Sequence, residues 1–142
     1  MQENVYEILE KVNNEVTTDA KVAMLRHYNN QLLQDVLTLA YNPNIQFFTN
    51  IEPPMYRPDR DALVGMGHSH MGMEIKKIYL FVVNHPASKN LSYRKRDELL
   101  CQMLEALEPK EAEVLMSIIR KNLPLHGGFA LAWEAFPQLK TW

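Results

Sequence analysis

The sequence predicts an all-α protein: a compact bundle of six or seven helices in a single domain (1–142), with one long irregular excursion over about residues 43–72. Apolar residues recur at helical spacing through most of the chain. Residues that cap or interrupt helices stand between these periodic segments. The excursion is instead rich in proline, glycine and methionine. With 142 residues, of which 46% are hydrophobic, the chain is long enough to bury one core.

Three helices are predicted before the excursion, over about 3–15, 18–29 and 30–41. In each of them, apolar residues three and four apart form one face, as in an amphipathic helix. Thr17 and the residues after it offer N-caps for the second helix. The third ends before Pro43, because a residue that precedes proline is biased away from the helical conformation.

The excursion contains three unlike stretches. IQFF (45–48) is either a short strand or a packed extended piece. IEPPMYRPDRD (51–61) has three prolines and cannot form a regular helix. GMGHSHMG (65–72) follows with its three glycines. Long irregular segments in compact domains are often binding elements, so this segment is a candidate contact surface.

Helical periodicity returns in four further segments, over about 71–84, 92–108, 109–122 and 128–136. Pro109 suits the first turn of the third of these helices. The residues predicted to face the core are Leu100, Met103, Leu104 and Leu107 in the second of these segments and Ala112, Leu115, Met116 and Ile119 in the third. The last segment is predicted to place Phe129, Ala132, Trp133 and Phe136 together.

Charge and composition narrow the function classes. The net charge of −2 weighs against a strong, nonspecific nucleic-acid binder. Any contact with nucleic acid would therefore depend on local clusters of basic residues and not on the charge of the whole chain. The only cysteine, Cys101, permits no disulfide within the chain, which is typical of a reducing cytosol. The first residues are acidic and amphipathic and do not resemble a signal peptide. No apolar run approaches the roughly 20 residues that a membrane span needs, so no membrane partner is expected.

A metal site is the first chemistry to weigh. His68 and His70 stand two residues apart in a methionine-rich stretch, and histidine and thioether ligands suit zinc or copper. Further ligands would have to come from His85, His126 or Cys101, and no spacing ties these together. We therefore expect a loop whose methionines touch the core, and no metal.

Enzymatic chemistry finds no support in the motifs. The chain has no GxSxG turn, no Walker loop and no GxGxxG, and Cys101 lies on a stripe predicted to be buried, where a thiol is usually inert. Adjacent acidic residues are interpreted as solvated faces. We expect a protein that is not an enzyme and needs no cofactor. PPMY (53–56) fits the PPxY pattern of WW-domain ligands, but a stiff turn is the favoured interpretation.

Basic residues and a glycine turn form the most specific candidate site. Arg94, Lys95 and Arg96 begin a predicted helix, where free N–H groups and the helix dipole favour an anion. Near the end of the chain, a helix stops and a turn with paired glycines begins the last helix. There the bare backbone would let a phosphate approach closely. The predicted contributors at this turn are Arg120, Lys121, His126, Gly127, Gly128 and Phe129, the last three through backbone N–H groups.

The stretch LMSIIRKNLPLHGGFALAWEAFPQL (115–139) resembles the end of the N-terminal DNA-binding domain of ATP-dependent DNA ligases, most closely those of T-even-like phages. Lys121 and Leu123 match that family's basic-x-leucine element, and the glycines fall in its turn. DAKVAMLRHYNNQLLQDVLTLAYNPNIQFF (19–48) is similar to the family's first helices. The chain also resembles a group of short T-even-like phage proteins of unknown function over nearly its whole length.

The resemblance implies an all-α domain that contacts duplex DNA mostly at the DNA's phosphate backbone. The adenylation motif KxDG is absent, so ligase activity is not implied. We therefore expect a phage accessory protein in the cytoplasm of the infected host cell, binding double-stranded DNA by sequence-neutral phosphate contacts. The alternative is a protein-interaction module for a host or phage partner. It would keep the scaffold, with residues 51–73 as its contact surface.

Overall fold

The structure is a computed structural model that describes residues 4–48 and 69–141, the last two without their side chains. Within these ranges the chain forms α-helices joined by short turns, which confirms the predicted all-α class. The α-helices are α1 (Val5–Asn13), α2 (Thr18–His27), α3 (Gln31–Tyr41), α4 (Met71–Glu74), α5 (Pro86–Lys89), α6 (Tyr93–Ala106), α7 (Pro109–Ile119) and α8 (Gly128–Ala135), and two 3-10 helices span Ile75–Phe81 and Pro137–Thr141.

Side-chain caps fix where several helices begin. The Thr17 side chain accepts a hydrogen bond from the Ala20 N–H at the start of α2, and the Ser92 side chain caps α6 through Lys95. Asn30 caps α3 through the Leu33 N–H at 2.8 Å. Because Asn30 serves the next helix, α2 ends at His27, earlier than predicted.

The core gathers the apolar faces of the longer helices. All eight residues predicted to face inward from α6, the residue after it and α7 are buried, which confirms that part of the pattern. On α8, Ala132 and Phe136 are buried, while Phe129 is 53% exposed and Trp133 is half-buried. The Phe129 and Trp133 rings lie together as predicted, with their centroids 4.9 Å apart. Cys101 is half-buried, not on the buried stripe as predicted.

The predicted helix over 71–84 is wrong in its second half. After α4 the chain tightens into the 3-10 helix Ile75–Phe81 and then becomes extended. Val82 pairs with Phe47 in an isolated antiparallel bridge, and the flanking bonds are Phe48 N–H to the Phe81 carbonyl and Val83 N–H to the Gln46 carbonyl. An extended backbone at this pairing cannot continue a helix. IQFF is accordingly an extended piece, and the described residues contain no regular strand.

Residues 49–68 lie outside the described ranges, and with them PPMY and His68. Their two flanks have clear positions. Phe48 lies against the Arg96 guanidinium near the start of α6, and the Ser69 N–H donates to the Ala106 carbonyl at its end. Among the helices of the described residues, none is long and apolar enough to cross a membrane.

Candidate functional site

The glycine turn lies at the surface. Gly127 is the N-cap of α8 in a left-handed conformation with φ 103°, and Gly128 follows with φ 58°. Gly127 is exposed, and a Cβ placed on Gly128 would meet no atom within 4 Å. The Gly128 N–H donates to the Leu125 carbonyl, so the expectation that it points outward is wrong. The N–H groups of Phe129 and Ala130 have no partner within their own helix, because the first helical bond of α8 starts at Leu131.

Helices α2 and α8 run side by side in the same direction. At their ends, the Arg26 guanidinium donates to the carbonyls of Ala135 and Glu134, at 3.1 and 2.9 Å. At their starts, Thr18 and Gly127 line the same cleft. The two N-termini therefore open at one place, and both helix dipoles present their positive ends there.

The cleft between these N-termini has a volume of about 340 Å³. Lys21 and His126 line it with positive or titratable groups, and Glu134 lines it with a carboxylate. The His126 N–H is held by the Asn13 side chain, whose amide also donates to the Pro124 carbonyl, each at 2.8 Å. Asn13 thus fixes the turn on the end of α1 and leaves the glycines facing outward.

Arg96 has a structural role. Its side chain is buried, and its guanidinium donates to the carbonyls of Ser88 and Leu91 while stacking 3.8 Å from the Phe48 ring centroid. A cation held in this way cannot reach a phosphate. The expectation that all three residues of the Arg94–Arg96 run are available at the surface is therefore wrong for Arg96.

Lys121 is occupied as well. Its ammonium donates to the carbonyls of Leu39 and Asn42 at 2.6 and 2.8 Å and lies 5.5 Å from the Phe47 ring centroid. Burial lowers the pKa of this amine to about 8, while the two carbonyls favour its charged form. The expectation that Lys121 flanks a bound phosphate is therefore also wrong, because its ammonium is already bound to the two carbonyls at the end of α3.

The backbone of Lys121 explains why α7 stops there. Lys121 has φ 57°, its N–H bonds the Ile118 carbonyl, and the Asn122 N–H bonds the Ser117 carbonyl. These are the two bonds of a Schellman motif, in which glycine usually occupies the left-handed position. The side-chain bonds of Lys121 hold this conformation in place of glycine.

The remaining predicted cations are exposed. Arg94 and Lys95 begin α6, and Arg120 ends α7. Because Arg96 and Lys121 lie against the adjacent rings of Phe48 and Phe47, the start of α6 and the end of α7 lie at one end of the bundle. We call this end, together with Lys21 and the turn at 124–129, the basic end.

Sequence reasoning missed two residues of the basic end. Lys21 is one turn into α2 and carries no local signal, since only the parallel packing of α2 on α8 brings it to the turn. Asn13 ends α1, and its two bonds reach across more than a hundred residues of sequence. Neither position follows from helical periodicity.

The groups that would hold a metal do not converge. Among residues 4–48 and 69–141, no three His, Cys, Asp or Glu side chains are placed to bind a metal ion. His85 instead caps α5 by accepting the Ala87 N–H on its ring nitrogen. His70 is exposed just before α4.

The fold and the basic end together define an all-α protein with a bare main-chain turn beside exposed cations. A family model described as a family of unknown function (DUF6433) matches residues 8–124, so the chain belongs to this family. The matched stretch ends just before the glycine turn. Comparison with curated proteins gave no match, and comparison with solved structures gave none.

Proposed function

We propose that this protein is a non-enzymatic phage accessory protein that binds duplex DNA through phosphate contacts at the basic end, in the cytoplasm of the infected host. The observation that carries the proposal is the exposed Gly127–Gly128 turn, which opens beside the start of α2 and is flanked by Lys21 and His126. Two helix N-termini and an unobstructed backbone suit a phosphate oxygen.

The contacting residues differ from those expected from sequence alone. Lys21, Arg94, Lys95 and Arg120 supply charge in the proposal, and His126 adds a charge when protonated. Backbone N–H groups come from Phe129 and Ala130. Arg96 and Lys121 hold the elements in place. The resemblance of 115–139 to the DNA-binding domain of phage ligases supports the same surface.

Acidic residues limit the affinity of this surface. Glu134 lines the cleft, and Glu98 lies 3.9 Å from the Lys95 ammonium with both side chains more than half exposed. An exposed pair of this kind contributes about 0–1 kcal/mol and yields readily to a phosphate. With about three to five phosphate contacts, affinity should be modest and strongly salt-dependent.

The test is fluorescence anisotropy with a labelled duplex of mixed sequence over a series of salt concentrations. The logarithm of the binding constant should fall against the logarithm of salt with a slope of about −3 to −4.5. A second duplex of unrelated sequence should bind equally well. No binding at low salt would end the proposal, and a strong preference for one sequence would contradict sequence-neutral contacts.

Two variants locate the contact. Lys21→Gln and Arg94→Gln should each weaken binding and reduce the salt slope by about 1, because each removes one phosphate contact. Lys110→Gln is the matched control, since Lys110 is an exposed cation at the opposite end of α7. If Lys110→Gln weakens binding as much as the other two, the basic end is not the contact surface.

Met73 favours a second candidate function, a protein-interaction module that uses residues 51–73. Its side chain is 56% exposed, whereas Met71 two residues earlier is 1% exposed and belongs to the core. A test must therefore keep 69–73 intact. Replacing 53–66 with a glycine–serine linker should abolish capture of a partner while leaving DNA binding unchanged, if this function is correct. If the variant with the linker still captures the partner as well as the wild type does, this second function is contradicted.

A further inference from the structure

A second pocket lies between α1 and α7 and extends along these helices as far as Pro124, where the glycine turn begins. These helices run in the same direction. Near their starts, Tyr6 hydrogen-bonds Glu108, and at their ends Asn13 bonds the Pro124 carbonyl. The pocket between them has a volume of about 230 Å³, which is smaller than typical drug-sized sites and suits a single side chain.

Its walls are apolar and its rim is charged. Leu9 and Val114 are buried and form the walls together with Tyr6 and Pro124. Glu10, Lys110 and Glu113 stand at the rim, and all three are exposed. A site with apolar walls and a polar mouth fits a side chain that has a hydrocarbon stem and a polar head.

The charges at the rim favour a cationic head. Lys110 is already engaged, since its ammonium lies 3.2 Å from a Glu10 carboxylate oxygen and 5.6 Å from the Tyr6 ring centroid. Glu113 makes no ion pair within the described parts of the chain. One rim carboxylate is thus uncompensated.

A buried carboxylate adds to this field. Glu108, the partner of Tyr6 at the start of α7, is 2% exposed. The rim and this residue make the start of α7 the acidic counterpart of the basic end. An anionic group entering the pocket would be repelled.

We propose that the pocket between α1 and α7 binds an arginine side chain of a partner protein. The aliphatic stem of the arginine would contact Leu9 and Val114, and its guanidinium would meet Glu113 and face the Tyr6 ring. Arginine suits this pocket better than lysine because its guanidinium is planar, more weakly hydrated and stacks on aromatic rings. This inference is independent of DNA binding, since it uses neither the cations nor the glycines of the basic end.

The test uses small probes on the full ¹⁵N-labelled chain. Benzamidinium carries a planar cation like that of arginine, and benzamide and benzoate are its neutral and anionic counterparts. Benzamidinium should produce saturable shifts in the backbone amide signals of Leu9, Asn13 and Val114, with a dissociation constant on the order of 1 mM. Benzamide should bind about fivefold more weakly, and benzoate more weakly still.

Three variants separate charge recognition from a merely apolar pocket. Glu113→Gln should weaken benzamidinium binding about threefold to fivefold, and Lys110→Gln should strengthen it by a similar factor, because it removes a like charge. Glu134→Gln, which removes an exposed carboxylate on α8, should change nothing. Exposed positions were chosen so that folding is preserved, and the amide spectrum of each variant reports this directly.

Three results would overturn the inference. The first is equal affinity for the three probes, which would show that the pocket does not select charge. The second is the absence of saturable shifts at benzamidinium concentrations about tenfold above the expected dissociation constant. The third is a set of shifts that saturate at the glycine turn and not at Leu9 or Val114.

Discussion

Glu111 should make the stability of this protein fall as the pH rises through neutrality. Its side chain is 4% exposed on α7. Burial, and to a smaller extent the nearby carboxylates of Glu108 and Glu7, together raise the pKa of this carboxyl from 4.5 to about 7. The folded protein therefore binds this proton more tightly than the unfolded chain does.

The sign and size follow from proton linkage. Below pH 4.5 Glu111 is protonated in both states, and its neutral form is fully compatible with the fold. Between pH 4.5 and 7 the unfolded chain releases the proton first, so stability declines, and above about pH 7 the loss is nearly complete. With 1.36 kcal/mol per pKa unit, the loss between pH 5 and 8 is about 2.5 kcal/mol.

Glu111→Gln removes this titration. Urea denaturation followed by circular dichroism at pH 5, 6, 7 and 8 should show the variant gaining about 2.5 kcal/mol over the wild type across that range, a midpoint difference of about 1 M urea.

Glu113→Gln is the matched control. Glu113 is an exposed carboxylate two residues further along the same helix, so its substitution removes a carboxyl group without changing a buried position. If the difference between Glu111→Gln and the wild type stays flat with pH, Glu111 is charged in the fold at neutral pH and the argument from burial is refuted.

Four further variants at three positions test the turns and helix ends by urea denaturation. Lys121→Ala should lower the free energy of unfolding by about 2–4 kcal/mol, because the hydrogen bonds to both carbonyls are lost. Lys121→Gly should lower it by about 1 kcal/mol less, because glycine accepts φ 57°. Equal losses for the two variants would show that the backbone is unstrained. Arg26→Met should lower the free energy of unfolding by about 1–3 kcal/mol, because two carbonyls at the end of α8 lose their donor. No loss would show that these two hydrogen bonds do not stabilise the fold. Gly127→Ala should cost about 1–3 kcal/mol, since φ is 103° and the new Cβ would lie 3.0 Å from that of Leu131; a neutral result would mean the turn adapts.

Helical periodicity predicted most of the fold because it reports burial within one element. The apolar stripes of α6 and α7 appear in the structure as predicted, and so does the cap at Thr17. The pattern failed where a contact with a residue distant in sequence determines the conformation of the backbone. The helix predicted over 71–84 gives way to extended chain because Val82 meets Phe47, and no local signal marks that meeting.

The site was harder to predict because the sequence shows charge but not its partners. Arg94, Lys95 and Arg96 look alike in the sequence, yet only Arg96 faces Phe48 and two buried carbonyls. Lys121 meets carbonyls about eighty residues earlier in the chain. Tertiary packing therefore decides which cation is structural and which is available.

The flanks of residues 49–68 set a simple distance requirement. Phe48 is held at Arg96 and Ser69 at Ala106, and these two positions of α6 lie about 15 Å apart at 1.5 Å of rise per residue. An extended chain covers that distance with about five residues. Residues 49–68 number twenty, so the segment is about four times longer than the distance between its two flanks demands.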